Sequence, residues 1–162
     1  MNPALTKMNK MKINNASKGG VKVIIKNLQK KIPINPNRIR KTVLTVLSLE
    51  KIKKPGEITI LFVDNRQIRE FNLMYRGRDC ATDVISFDDS INRKEILADI
   101  VISTDTAISN AKIFKTAPLY ELHLYVIHGI LHLVGYDDRT QKQRKIMQDK
   151  ATHILTTLNI KH

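Results

Sequence analysis

Two histidines four residues apart, His128 and His132, are followed by Gly135 and then by two carboxylates, Asp137 and Asp138. On a helix, positions i and i+4 share one face with Cβ atoms about 5–6 Å apart, so both imidazoles can reach one ion. Gly135 suits the end of that helix, because glycine enters the left-handed conformation at little steric cost. The chain can then turn back and bring Asp137 or Asp138 beneath the same ion. Two imidazoles and a carboxylate leave a fourth position open, the arrangement of a catalytic zinc rather than a structural one. Such a centre acidifies water and supplies a nucleophile near neutral pH. The same carboxylates precede Arg139 and Thr140, so either can instead cap a following helix.

At the first His, the second His and the Gly, the segment resembles the zinc-protease pattern His-Glu-x-x-His-x-x-Gly-x-x-His. Gly129 stands where that pattern has its general base and Asp138 where it has its third His. A peptide-hydrolysing reading therefore lacks its base. A second cluster of chemistry-bearing side chains is Tyr75-Arg76-Gly77-Arg78-Asp79. Arg76 and Arg78 offer planar bidentate donors suited to phosphate; taken alone, they read more simply as solvated loop cations. Asp79 and Asp83 read as turn or capping residues.

These residues need elements to position them. β-branched and alternating patterns predict strands over 21–26, 57–63, 84–87 and 96–102. Asn35-Pro36 gives an N-cap followed by proline in the first turn, opening a helix to about Glu50. Asp64 caps a helix with Ile68, Phe71 and Met74 or Tyr75 inward. Ser103 or Thr104 caps one through Phe114, with Ala107, Ile108 and Ala111 inward. Pro118 opens the apolar helix that ends at Gly135. Thr140 caps a last helix carrying Ile146, Met147, Ile154, Leu155 and Leu158. The order predicts a single α+β domain over 21–162, a small mixed sheet of about four strands packed with about five helices, with the metal site at a helix end.

The chain has 162 residues and a net charge of +13, and its first 49 residues hold eleven Lys or Arg and no acid. Such a field attracts phosphate backbones or anionic surfaces. Residues 1–20 lack periodicity and read as a basic, disordered extension. No apolar run reaches the ~20 residues of a membrane span, and no apolar segment of signal-peptide type opens the chain. Cys80 is the only cysteine, which fits a reducing compartment. The expectation is a soluble cytoplasmic protein.

Four segments in order carry a resemblance: Asn72-Leu73-Met74-Tyr75-Arg76-Gly77-Arg78-Asp79, Thr82-Asp83-Val84-Ile85-Ser86-Phe87, Ala98-Asp99-Ile100-Val101-Ile102, and residues 128–138. Together, over about 57–158, they resemble the YbeY family of metal-dependent endoribonucleases, which act in ribosomal RNA maturation. The resemblance implies that the family's three metal-binding histidines fall on His128, His132 and position 138, where this chain has Asp138. It implies one zinc ion per chain, catalytic roles for Arg76 and His128, and substrate binding by Arg76 and Arg78. The family's usual Gly-Asp-Ile is Ala98-Asp99-Ile100 here, and Ala81 replaces a frequent proline, which leaves that loop less rigid. The function implied is single-strand-specific cleavage in small-subunit rRNA maturation and ribosome quality control, with ribosomal RNA and ribosomal subunits as partners and neither DNA nor membrane. Asp138 and the basic first third suit an alternative: a non-catalytic RNA-binding factor in ribosome assembly with a weakened metal site.

Overall fold

The computed structural model describes residues 20–90 and 94–162. The extension expected over 1–20 lies outside the described residues except for Gly20. Nine elements follow in the order β1 (Val21–Asn27), α1 (Pro36–Leu49), β2 (Gly56–Val63), α2 (Asn65–Arg76), β3 (Val84–Asp88), β4 (Ile96–Ser103), α3 (Thr104–Phe114), α4 (Pro118–Leu133) and α5 (Gln141–Thr157). The four strands form one sheet in the order β1-β2-β4-β3, parallel except for the antiparallel β3–β4 pair. This is the expected α+β domain with a mixed sheet.

Local chemistry sets the boundaries. The Asn35 side chain accepts from the backbone N–H groups of Asn37 and Arg38, satisfying two donors that a helix start leaves open. Asp64 forms a capping box with Gln67, and Thr140 forms one with Gln143. Ser103 caps α3 through the Thr106 N–H.

Strand alternation divides the core. Ile58, Ile60, Phe62, Ala98, Ile100 and Ile102 face one side, where α1, α4 and α5 bury Val43, Val126, Ile130 and Ile154. Leu61, Val63, Ile85 and Val101 face the other side and are covered by Ile68 of α2, with Phe71 and Phe87 at the margin. Of Met74 and Tyr75, one of which was expected inward, both are exposed, at 54% and 46%, and Ile146 is 41% exposed. The buried stripe of α2 runs through Ile68 and Asn72 with Phe71 at its edge, and that of α5 through Met147, Ala151, Ile154 and Leu155. At 100° per residue, Met74 and Ile146 fall outside those stripes.

Candidate active site at the end of helix α4

Helix α4 is apolar on most of its surface because it lies against the sheet. It packs tightly on the sheet at Gly129, where an added Cβ would stand 2.8 Å from Ile100 Cγ2 and 3.2 Å from Ser86 Oγ. The Ser86 hydroxyl donates to the Gly129 carbonyl at 3.2 Å. The sheet thus leaves no room at 129 for the glutamate of the zinc-protease pattern. The same contact fixes the rotation of α4, and with it the direction of His128 and His132.

The helix then stops in a specific way. Gly135 has φ +104°, its N–H bonds the His132 carbonyl, and the Tyr136 N–H bonds the Leu131 carbonyl. This is the paired bonding of a Schellman motif around a left-handed glycine. It folds the Tyr136 carbonyl back over the helix end, where His132 Nδ1 donates to it at 3.1 Å. In the tautomer that donates from Nδ1, Nε2 is the nitrogen left to face an ion. An imidazole tied by its far nitrogen to a backbone carbonyl is the usual support for a metal-ligating histidine.

Asp138 faces that nitrogen. Its Oδ2 lies 3.8 Å from His132 Nε2. Two donors about 2.1 Å from a tetrahedral ion stand roughly 3.4 Å apart, so the pair is near the spacing zinc imposes. Asp137 is engaged elsewhere, accepting from the Asp138 N–H at 2.8 Å and pairing with Arg139 at 3.0 Å. Because Thr140 caps α5, neither carboxylate is used as its N-cap. Arg144 donates to the Asp138 carbonyl at 2.9 Å and so steadies the turn.

His128, one helical turn earlier, is largely buried. Burial lowers its pKa, opposed by the Asp83 and Asp138 carboxylates and reinforced by neighbouring His132. The four side chains therefore share one electrostatic neighbourhood. Asp83, expected as a turn or capping residue, accepts from the Val84 N–H and the Thr82 hydroxyl, and its charge also bears on His128. The signal available in the sequence was its place just before a strand in the Thr82–Phe87 segment. The donor set of His128, His132 and Asp138 fits zinc in chemistry. Among the described residues, no three His, Cys, Asp or Glu side chains are grouped closely enough to hold a metal ion.

The loop after α4 is held from behind by a cluster that sequence reasoning missed. The Tyr136 hydroxyl donates to Glu50 Oε2 and Lys150 Nζ to Glu50 Oε1, both at 2.7 Å. Lys150 also lies 4.8 Å from the Tyr136 ring centroid, a cation–π distance. Burial alone would raise the Glu50 pKa, but the bonds from Lys150 and Tyr136 outweigh it and hold the carboxyl below its ordinary value.

Arg76 and Arg78 belong to a different element from the histidines, the end of α2 and the loop that follows it. Arg76 ends α2, and Gly77 follows in the left-handed region at φ +66°. Both arginines are exposed and make no ion pair among the described residues. The loop carrying Arg78 is latched: Arg69 grips Asp79 with two bonds of 2.6 and 2.8 Å, and Asn72 donates to the Cys80 carbonyl at 2.8 Å.

The profile of the family described as Endoribonuclease YbeY matches residues 24–159. A protein named Endoribonuclease YbeY from Syntrophus aciditrophicus (strain SB) is 37% identical over 145 residues, covering 85% of this chain and 89% of its own. One of the same name from Thermoanaerobacter sp. (strain X514) is 33% identical over 155 residues, covering 85% of this chain and 98% of its own. A Thermotoga maritima protein solved in solution superposes with a TM-score of 0.57 at 20% identity, covering 86% of this chain and 91% of that one. That structure defines the class of fold. The sequence matches go further: the chain belongs to the YbeY family.

Proposed function

We propose that the protein is a single-strand-specific endoribonuclease acting in small-subunit ribosomal RNA maturation and ribosome quality control, with one zinc ion per chain held by His128, His132 and Asp138. The observation that carries this reading is the His132 bond to the Tyr136 carbonyl, which leaves Nε2 facing Asp138. It occurs in a chain whose curated relatives are named endoribonucleases. In this reading the protein meets ribosomal subunits in the cytoplasm, and DNA is not a substrate. No helix among the described residues is long and apolar enough to cross a membrane.

Bound zinc would supply Lewis acidity toward a phosphate group. The rest falls to the chain's own side chains. The net charge of +13 draws an RNA backbone over long range. Arg76 presents a planar fork to phosphate oxygens and stabilises the charge that builds there as a P–O bond breaks. Burial keeps His128 uncharged at neutral pH, so its ring offers a lone pair rather than a second positive charge. Gly129 supplies no base, so the attacking oxygen, from water or from the RNA's own 2′-hydroxyl, loses its proton elsewhere.

The test is cleavage of a single-stranded rRNA precursor fragment by purified wild type, Arg76→Ala and His128→Ala. Each variant is expected to lose roughly 100-fold or more in rate, the usual cost of deleting one transition-state contact, while keeping the wild-type circular dichroism spectrum at the assay temperature. Full activity in the double variant would contradict the assignment. The carboxylate at 138, with a side chain 58% exposed, favours a second reading, a non-catalytic RNA-binding assembly factor. That reading predicts RNA binding without cleavage, whether or not zinc is restored after chelation.

A further inference from the structure

On the face of the sheet opposite α4, three aromatic rings form a ladder. Phe71 and Tyr75 stack with centroids 6.4 Å apart and planes 14° apart, and Tyr75 meets Phe87 at 4.7 Å and 60°. Phe71 and Phe87 close the small core beneath α2. Tyr75 lies over them and remains 46% exposed, so sealing the core does not account for its ring. Arg76 and Arg78 follow it directly, both exposed. The latch of Arg69 on Asp79 and of Asn72 on Cys80 holds the Arg78 loop against the same helix.

The position of β3 links this ladder to the candidate active site. β3 is an outer strand of the sheet, and successive strand residues point to opposite faces. Ser86 meets Gly129, beside His128, on one face, while Phe87 supports Tyr75 on the other. A chain lying across this edge would meet both.

We infer that Tyr75, braced by Phe71 and Phe87, is a stacking platform for one unpaired nucleobase, with Arg76 and Arg78 gripping the phosphates beside it. The inference rests on the RNA-directed reading of the site and adds a base-binding position to it. An aromatic ring accepts the face of any base, and two exposed cations complement the backbone without reading sequence. Bases in a duplex keep both faces covered, so a platform of this kind selects single strands. Composition gives little hint of it: the chain has only four Tyr, four Phe and no Trp, yet three of those rings meet in one place.

The experiment uses the full chain and a short single-stranded RNA carrying one 2-aminopurine, whose fluorescence falls when it stacks. The absence of tryptophan leaves that signal clear. Wild type and Tyr75→Phe are expected to quench the probe on binding. Tyr75→Leu, which still covers Phe71 and Phe87, is expected to lose the quench and bind roughly 5- to 100-fold more weakly at an unchanged melting temperature, the range for one lost base stack. Quenching and affinity equal to wild type in Tyr75→Leu would overturn the platform while leaving RNA binding intact. Failure of the wild type to bind the RNA at all would overturn both the platform and the reading beneath it.

Discussion

Among the described histidines, His123 and His128 show how the same side chain on one helix takes different work. His123 is 3% exposed, and its Nδ1 meets Thr42 Oγ1 at 2.8 Å. Burial, aided by the nearby Arg38 charge, lowers its pKa to about 4. The unfolded ring takes up a proton near pH 6.5 and the folded ring only near 4, so the unfolded chain binds more protons in between. The stability contributed by neutral His123 is therefore complete above about pH 6.5 and is lost as pH falls toward 4. Urea denaturation at pH 7 and pH 4.5 should show wild type losing roughly 2–3 kcal/mol more than His123→Leu. Equal losses in the two proteins would contradict it. Residue type alone cannot make this distinction, since His123, His128 and His132 share one helix. Spacing singles out the last two, and the packing of Thr42, 81 positions away, explains the first.

Helix α4 shows how far an element can be read before its partners are known. Its start at Pro118, its apolar length and its stop near Gly135 were legible because proline, hydrophobic content and a left-handed glycine act locally. The reason for glycine at 129 was not legible, because it lies in the Ile100 side chain on another strand. Ala normally stabilises a helix interior relative to Gly by about 1 kcal/mol. At 129, the new Cβ meets a stiff β-branched side chain at 2.8 Å, so Gly129→Ala should instead destabilise the protein by about 1–3 kcal/mol. The sign of the change in denaturation midpoint decides the matter, and a gain in stability would refute the close packing. The turn beyond α4 was half legible in the same way. Spacing put Asp137 or Asp138 near the histidines without choosing between them, whereas Glu50 and Lys150, 86 and 100 positions from Tyr136 and Glu50 respectively, leave no local trace.

Across the chain as a unit, the charge of +13 and the three-part arrangement of arginine loop, aromatic ladder and histidine helix set the expected behaviour toward RNA. The fold class and the order of elements follow from local patterns, and the strands and helices match them to within a few residues. The order β1-β2-β4-β3 does not follow from those patterns, since it depends on which strands pair at long range. That order puts β3 at the edge, between the two faces that carry the proposed RNA contacts. If three or four phosphates are engaged, raising salt from about 50 to 200 mM should weaken single-stranded RNA binding roughly 10- to 50-fold. Fluorescence anisotropy would measure it, and a salt-independent affinity would exclude backbone contacts as the main attraction.

The proposed zinc centre depends on Asp138 joining His128 and His132 as the third ligand. Metal content of the purified wild type, Asp138→Ala and Asp138→His tests it most directly. About one zinc per wild-type chain is expected, as a three-ligand site would hold, with loss in the Ala variant and retention in the His variant. A metal-free wild type beside a fully loaded Asp138→His would contradict it and leave the protein an RNA-binding factor with a lapsed site.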